Sequence, residues 1–376
     1  MQDRRRVELV SGNRMVARGA VAAGCTFFSG YPITPSSEIY SEMMRMLPPL
    51  GGTALGAPDE ISAASYAVGA SLAGARAMTA TSGPGWALMI ETVQYAIMTE
   101  TPLVVAVVQR LGPATGGATQ GAQGDLLLVE HATSGGYPIP VLAPVDAVDC
   151  FVLTAEAFRL AEELRTPVVL LSDKEVGMTI ESVDVASLPR VEVASRVAAS
   201  NGEAYVPYRV ERIEDVPAFA PVGGPRKATV TGSAHNERGE LRKNDPETLR
   251  QLRHLEAKVL SRGPAMERVR LRRKAGAEAL LLSFGVSARA CRQAERDLAA
   301  EGKAVSVLEV LSLFPVPEIA IAAAIQGARR VVVVEENGPG LYASQIAPLL
   351  AGRELVRVNS VGRMIPPSAV REAILS

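Results

Sequence analysis

The sequence predicts an α/β protein: two parallel-sheet domains separated by a charged, Pro-containing connector. Three observations predict it. Short apolar runs alternate with helical patterns from Arg14 to Ser172, as expected for a parallel sheet covered on both faces. The texture changes near Val191 and the alternation resumes at Gly276. A length of 376 residues accommodates two or three domains, at about 100–200 residues each. The boundaries read from these features are 1–190, 191–275 and 276–376.

Arg14 to Gly24 is Ala-rich and helical in pattern, and Cys25 to Gly30 reads as a buried strand ended by glycine. Thr34 followed by Pro35 fits the cap and first position of a helix reaching Met46. Glu60 to Ala73 is a helix of small residues, suited to close packing on a neighbour. Arg76 to Ser82 is a strand, Gly83-Pro84-Gly85 a sharp turn and Trp86 to Thr99 a helix. Pro102 to Gln109 and Pro167 to Ser172 are buried strands, with a helix from Val145 to Leu164 between them. Pro207, Pro217, Pro221 and Pro225 then interrupt the chain. The charge-dense stretch from Glu237 to Lys274 includes a solvated helix, Pro246 to Ser261. Strands at Ala279–Ser283, Ala304–Glu309 and Arg330–Val334 alternate with helices at Ala288–Glu301, Pro317–Ile325 and Gly340–Leu350.

Composition excludes several classes of function. Lys and Arg number 39 against 40 Asp and Glu, so no global basic field is available to nucleic acid. Cys25, Cys150 and Cys291 lie too far apart for a C-x-x-C pair, so this chain alone does not supply the thiolates of an iron–sulfur cluster. Three histidines make a His-rich metal site unexpected, and no metal ligands are assigned. No apolar segment follows the charged Met1–Arg6, and no uncharged apolar run is long enough to span a bilayer. The expected location is cytoplasmic, with no membrane partner.

Ligands of doubly wound sheets sit beyond the carboxyl ends of the strands, so the strand-to-helix turns carry the candidates. In Gly30–Glu38 the free N–H groups after Thr34 suit a carboxylate or phosphate, although Thr34 also fits a plain helix cap. Glu60 is either a first-turn acid favoured by the helix dipole or a carboxylate facing a heteroaromatic nitrogen. Thr79–Gly85 is Gly-rich but matches neither phosphate-loop nor dinucleotide fingerprints; Ser82 lies at its crevice end. Arg110 directly follows an apolar strand and needs an anion there: a bound carboxylate, or an internal partner such as Glu60 or Asp125. Leu111 to Gly124 has the composition of a binding loop. The two acids of Glu335–Gly340 disfavour phosphate, which makes that turn a docking or structural element.

An ordered set of motifs runs through the chain. It comprises GYPITPSSE (Gly30–Glu38), the Asp59–Gly74 helix, MTATSGPG (Met78–Gly85), TETP (Thr99–Pro102) and VQR-x-GPATG (Val108–Gly116). QGDLL (Gln123–Leu127) and VTGSAHNERG (Val230–Gly239) complete it. Together these closely resemble the α subunit of 2-oxoacid:ferredoxin oxidoreductases, nearest the 2-oxoglutarate branch. The resemblance implies a thiamine diphosphate pyrimidine-binding domain followed by a transketolase C-terminal-like domain. It implies CoA-dependent oxidative decarboxylation of 2-oxoglutarate to succinyl-CoA with ferredoxin as acceptor, or the reverse. It implies a β subunit, as α2β2, that holds the diphosphate, Mg²⁺ and [4Fe–4S], with any γ or δ functions on separate chains. Carried over by motif, Glu60 is the catalytic, pyrimidine-facing glutamate, and Ile33, Ser82 and Gly83 join it in binding the cofactor. Thr34 and Arg110 hold the substrate. The chain departs from the 2-oxoglutarate branch at Ala132–Pro138, where the family often has histidines, and a branched-chain or aryl 2-oxoacid is the alternative substrate. A non-catalytic scaffold for a β partner is the alternative of another class, and Glu60 argues against it.

Overall fold

The computed structural model describes residues 5–200 and 204–376. In chain order, the first half comprises β1 (Val7–Ser11), α1 (Gly12–Ala22), β2 (Phe27–Gly30), α2 (Ser37–Met46), β3 (Thr53–Gly56) and α3 (Glu60–Leu72). There follow β4 (Ala77–Thr81), α4 (Gly83–Met98), β5 (Leu103–Gln109), α5 (Leu126–Glu130), β6 (Val141–Leu142), α6 (Ala147–Leu164), β7 (Pro167–Asp173), α7 (Lys174–Met178) and β8 (Ile180–Asp184). After the connector come α8 (Pro246–Leu260), α9 (Gly263–Met266), β9 (Val269–Arg272), β10 (Ala279–Ser283), α10 (Ser287–Ala300), β11 (Ser306–Val310) and β12 (Ser312–Phe314). The chain closes with α11 (Glu318–Ala324), β13 (Arg330–Glu335), α12 (Leu341–Ile346), β14 (Glu354–Asn359) and α13 (Pro367–Leu375).

A seven-stranded sheet runs β12-β6-β7-β5-β4-β2-β3 and is parallel except at β12. Its central strand β5, LVVAVVQ, is buried along its whole length because helices cover both faces. A five-stranded sheet runs β14-β13-β10-β11-β9 and is parallel except at β9. The two sheets are not independent. β12 comes from the second half of the chain yet pairs with β6 of the first sheet. One apolar cluster runs from Trp86, Met89 and Val107 to Leu282, Phe284 and Tyr342 of the second unit. Each such side chain contributes about 1.5–3 kcal/mol on burial, so the junction is part of the core.

Four sequence expectations need correction. Helix α2 starts at Ser37, not Pro35, because Ser36 N and Oγ both bond the Ile33 carbonyl and close a turn there. Gly83-Pro84-Gly85 is the first turn of α4, since Pro84 lacks only an N–H that no helix start can use. The α8 helix is solvated on one face only: Gln251, His254 and Lys258 on the other are buried on the first unit. There Lys258 Nζ (2.7 Å), His254 Nε2 (3.0 Å) and Gln251 Nε2 (3.3 Å) meet the fully buried Glu100 carboxylate. The connector also does not extend to 275, because β9 pairs with β11 as an edge strand of the second sheet.

The remaining connector is clasped to the first unit by polar contacts. Arg196 donates to Glu162 and to the Ser71 and Ala75 carbonyls, with its guanidinium over Phe219. His235 stacks on Tyr208 and reaches the Met98 carbonyl. The VTGSAHNERG motif thus helps hold the connector in place through His235, while Glu100 of TETP anchors α8.

Candidate active site

The site forms where β2, β4 and β5 end and α3 and α4 begin. Asp59 caps α3 by accepting from Ser62 N at 2.7 Å, which sets Glu60 at the first helical position. Glu60 is only 7% exposed, yet its carboxylate has no hydrogen-bond or ion-pair partner among the described residues. It packs over Gly85. A Cβ there would clash with Thr81 Oγ1 and come within 2.7 Å of Glu60 Cγ. Ser82, at the cap of α4, is fully buried and its Oγ has no partner. Gly83 is covered by a second carboxylate: a Cβ on it would lie 2.6 Å from Asp125 Cγ.

Arg110 extends β5 and is 6% exposed. Its Nη1 donates to the Thr34 carbonyl at 2.6 Å, while its Nε is buried without a partner. It makes no ion pair with Glu60 or Asp125 among the described residues, so its charge remains open to an anion. Of the six predicted residues, Thr34 and Arg110 are brought into contact, and Glu60, Ser82 and Gly83 cluster at the start of α4. Ile33 is half-buried and serves the turn that precedes α2, with no hydrogen bond to the other five.

A cleft of about 490 Å³ opens beside this cluster, lined by Gly83, Arg110 and Asp125 on one side and Glu336, Asn337 and Leu341 on the other. Glu60, Thr34, Ile33 and Ser82 do not line it. Burial pushes the Asp125 carboxyl up to about 6, with Arg110 opposing. Burial, then the charges of Asp173 and Glu175, push Glu336 up to about 8. Gln123 joins the cleft's two walls. It exchanges hydrogen bonds with the Glu336 main chain and bonds Asp173, Ser287 and the Phe284 carbonyl. Glu335 caps α12 by accepting from Tyr342 N and Ala343 N, so the Glu335–Gly340 turn serves docking and capping. Gln123 and Asp125 fall in a motif the sequence offers, but nothing in residue type or spacing marks their roles. Their signal is only that polar side chains sit in a Gly-rich loop beside an apolar helix.

No group of three or more His, Cys, Asp and Glu is placed to hold a metal among the described residues. All three cysteines are buried, and burial pushes the thiols of Cys25 and Cys291 up to about 12. No helix among the described residues is long and apolar enough to cross a membrane.

Residues 18–254 match the family described as pyruvate flavodoxin/ferredoxin oxidoreductase, thiamine diphosphate-binding, and residues 267–373 match the transketolase C-terminal domain. The 2-oxoglutarate synthase subunit KorA of Archaeoglobus fulgidus is 38% identical over 368 residues, covering 98% of both chains. Its counterpart in Methanothermobacter marburgensis is 38% identical, over 92% of this chain and 93% of that one. The chain belongs to the 2-oxoacid:ferredoxin oxidoreductase α-subunit family. Among solved structures, it resembles the 2-oxoglutarate:ferredoxin oxidoreductase of Magnetococcus marinus, determined with 2-oxoglutarate, coenzyme A and succinyl-CoA bound. The TM-score is 0.91 at 30% identity, over 100% of this chain and 66% of that one.

Membership in the oxidoreductase family brings thiamine diphosphate to the matched domain, and the residues fit it. A buried carboxylate without a partner and an orphaned serine hydroxyl flank a helix start whose glycines let the Glu60 and Asp125 side chains pack against its backbone.

Proposed function

We propose that the chain is the α subunit of an enzyme that converts 2-oxoglutarate and CoA to succinyl-CoA and CO₂, with ferredoxin as electron acceptor. The observation that carries this reading is the uncommitted, buried Glu60 carboxylate at the start of α3, packed against Gly85 in the first turn of α4. Relatives named for 2-oxoglutarate and a neighbour holding 2-oxoglutarate and succinyl-CoA support the substrate. When bound, thiamine diphosphate supplies the nucleophilic carbon and the electron sink for decarboxylation.

Glu60 accepts a hydrogen bond from a protonated ring nitrogen and so holds a proton at that atom. Its low-dielectric setting among Gly85, Thr81 and the small residues of α3 strengthens that bond. Ser82 Oγ and the N–H at Gly83 would hold the same group. Arg110, oriented by the Thr34 carbonyl, grips the oxo-acid carboxylate. A partner β subunit would hold the diphosphate, Mg²⁺ and [4Fe–4S], in an α2β2 assembly, and would supply the redox chemistry that reduces ferredoxin.

The test is Glu60→Gln in the assembled complex. An amide cannot hold the proton as a carboxylate does, and losing such acid–base assistance costs about 10²–10⁴ in rate. Near-normal turnover, with normal assembly and cofactor content, rejects Glu60 as the activating residue.

A further inference from the structure

The two glycines that open α4 are each covered by a carboxylate, Gly85 by Glu60 and Gly83 by Asp125. The proposed chemistry uses Glu60 and leaves Asp125 without a role. Asp125 lines the same cleft as Arg110, which among the described residues is the only cationic side chain on that lining. Asp125 Oδ2 and Arg110 Nε are both buried without partners. Around Asp125, α4 presents Gly83, the end of β5 presents Gln109, whose Oε1 accepts from Asp125 N at 3.1 Å, Arg110 donates its main-chain N–H to the carboxylate and acts on it through its charge, and Glu336 is the other titratable side chain on the cleft lining.

We propose that Asp125 is a substrate-contacting residue that carries a proton whenever a 2-oxoacid carboxylate occupies Arg110, so that substrate binding takes up a proton from solution. This rests on the proposed 2-oxoacid chemistry. A substrate carboxylate on Arg110 would enter the partly dry cleft that Asp125 also lines, and repulsion between the two carboxylates raises the pKa of one of them. A protonated Asp125 turns that conflict into a hydrogen bond, donating from its O–H to the bound carboxylate. The free side chain already titrates at about 6, so it is mostly ionised at neutral pH. The sign follows. As pH rises above about 6 the free site loses its proton while the occupied site keeps it, so affinity falls by about tenfold per pH unit.

The experiment is calorimetric titration of the assembled complex with N-oxalylglycine, an inert analogue of 2-oxoglutarate, in buffers of differing ionisation enthalpy. The wild type is expected to take up nearly one proton per site at about pH 7.5, and Kd to rise about tenfold per pH unit. Asp125→Asn is expected to take up none and to bind with a flat pH profile, because its amide donates without titrating. A structural role would change affinity without changing proton uptake. Uptake near zero in the wild type overturns the inference, and decides the matter by itself if the variant does not assemble. Equal uptake in wild type and variant also overturns it. In either case turnover of 2-oxoglutarate leaves the proposed activity standing. A complex that turns over no 2-oxoacid overturns both.

Discussion

Arg110 Nη1 donates to the main-chain carbonyl of Thr34 at 2.6 Å, across 76 residues of sequence. The contact gives the two residues unequal parts. Thr34 orients the guanidinium through an atom that every residue possesses, whereas Arg110 offers the charge and an unpartnered Nε.

Arg110→Lys should therefore lose about 10–100-fold in kcat/KM. A point charge replaces a planar fork, and one charge-assisted hydrogen bond contributes about 1.5–3 kcal/mol. Thr34→Ala keeps the carbonyl and should stay within a few-fold of the wild type. Steady-state kinetics of both variants, beside thiamine diphosphate titrations, check this. A weakened cofactor with unchanged substrate saturation in Arg110→Lys would place the carboxylate clamp elsewhere.

Gly85→Ala should be harmful at a helical position where propensity alone favours alanine by about 1 kcal/mol. The added Cβ meets Thr81 Oγ1 and Glu60 Cγ, so either the backbone or the Glu60 side chain must move. Overpacking of this kind costs about 1–3 kcal/mol. Thermal unfolding and turnover should both fall, and a stabilised, fully active variant would show that Glu60 does not need its present position.

Lys258→Met should destabilise the chain by about 3–5 kcal/mol, because it strips a buried carboxylate of its closest cation. In the wild type, burial raises the Glu100 pKa, but Lys258 and then His254 outweigh it and hold the carboxyl well below its ordinary range. A depressed folded-state pKa gives stability that is complete above the unfolded value of 4.5 and is lost as pH falls below it. Urea unfolding from pH 7 to pH 3 should show this acid loss in the wild type and a shallower one, from a lower starting point, in Lys258→Met. Equal slopes would remove Glu100 from the account.

Residues whose role follows from local chemistry were legible. The apolar runs of β4, β5, β7, β10 and β13 lie buried as read, because helices cover both faces of each sheet, and polar residues within them such as Thr81, Gln109 and Asp173 are buried with them. Arg110 was legible for the same reason: a guanidinium after such a run has no solvent to reach. The α8 helix misled because Lys258 and His254, on its inner face, meet a Glu100 that lies about 150 residues earlier, and no periodicity within the helix records a distant partner. Asp125 entered only as a possible ion-pair partner of Arg110, and the roles it and Gln123 take were not legible for a related cause, since they meet Gly83 and Glu336 on other elements.

By itself, the sequence determined the alternation of elements, the family motifs and the residue types able to hold a carboxylate or face a heteroaromatic nitrogen. These depend on hydrophobic periodicity and side-chain chemistry, which are local properties. Only the tertiary structure decided that β12 joins the first sheet, that β9 belongs to the second and that Glu60 and Asp125 stand on either side of one helix turn. Those facts come from close packing between segments far apart in the chain, where a missing Cβ or an unpaired buried donor matters more than any local preference.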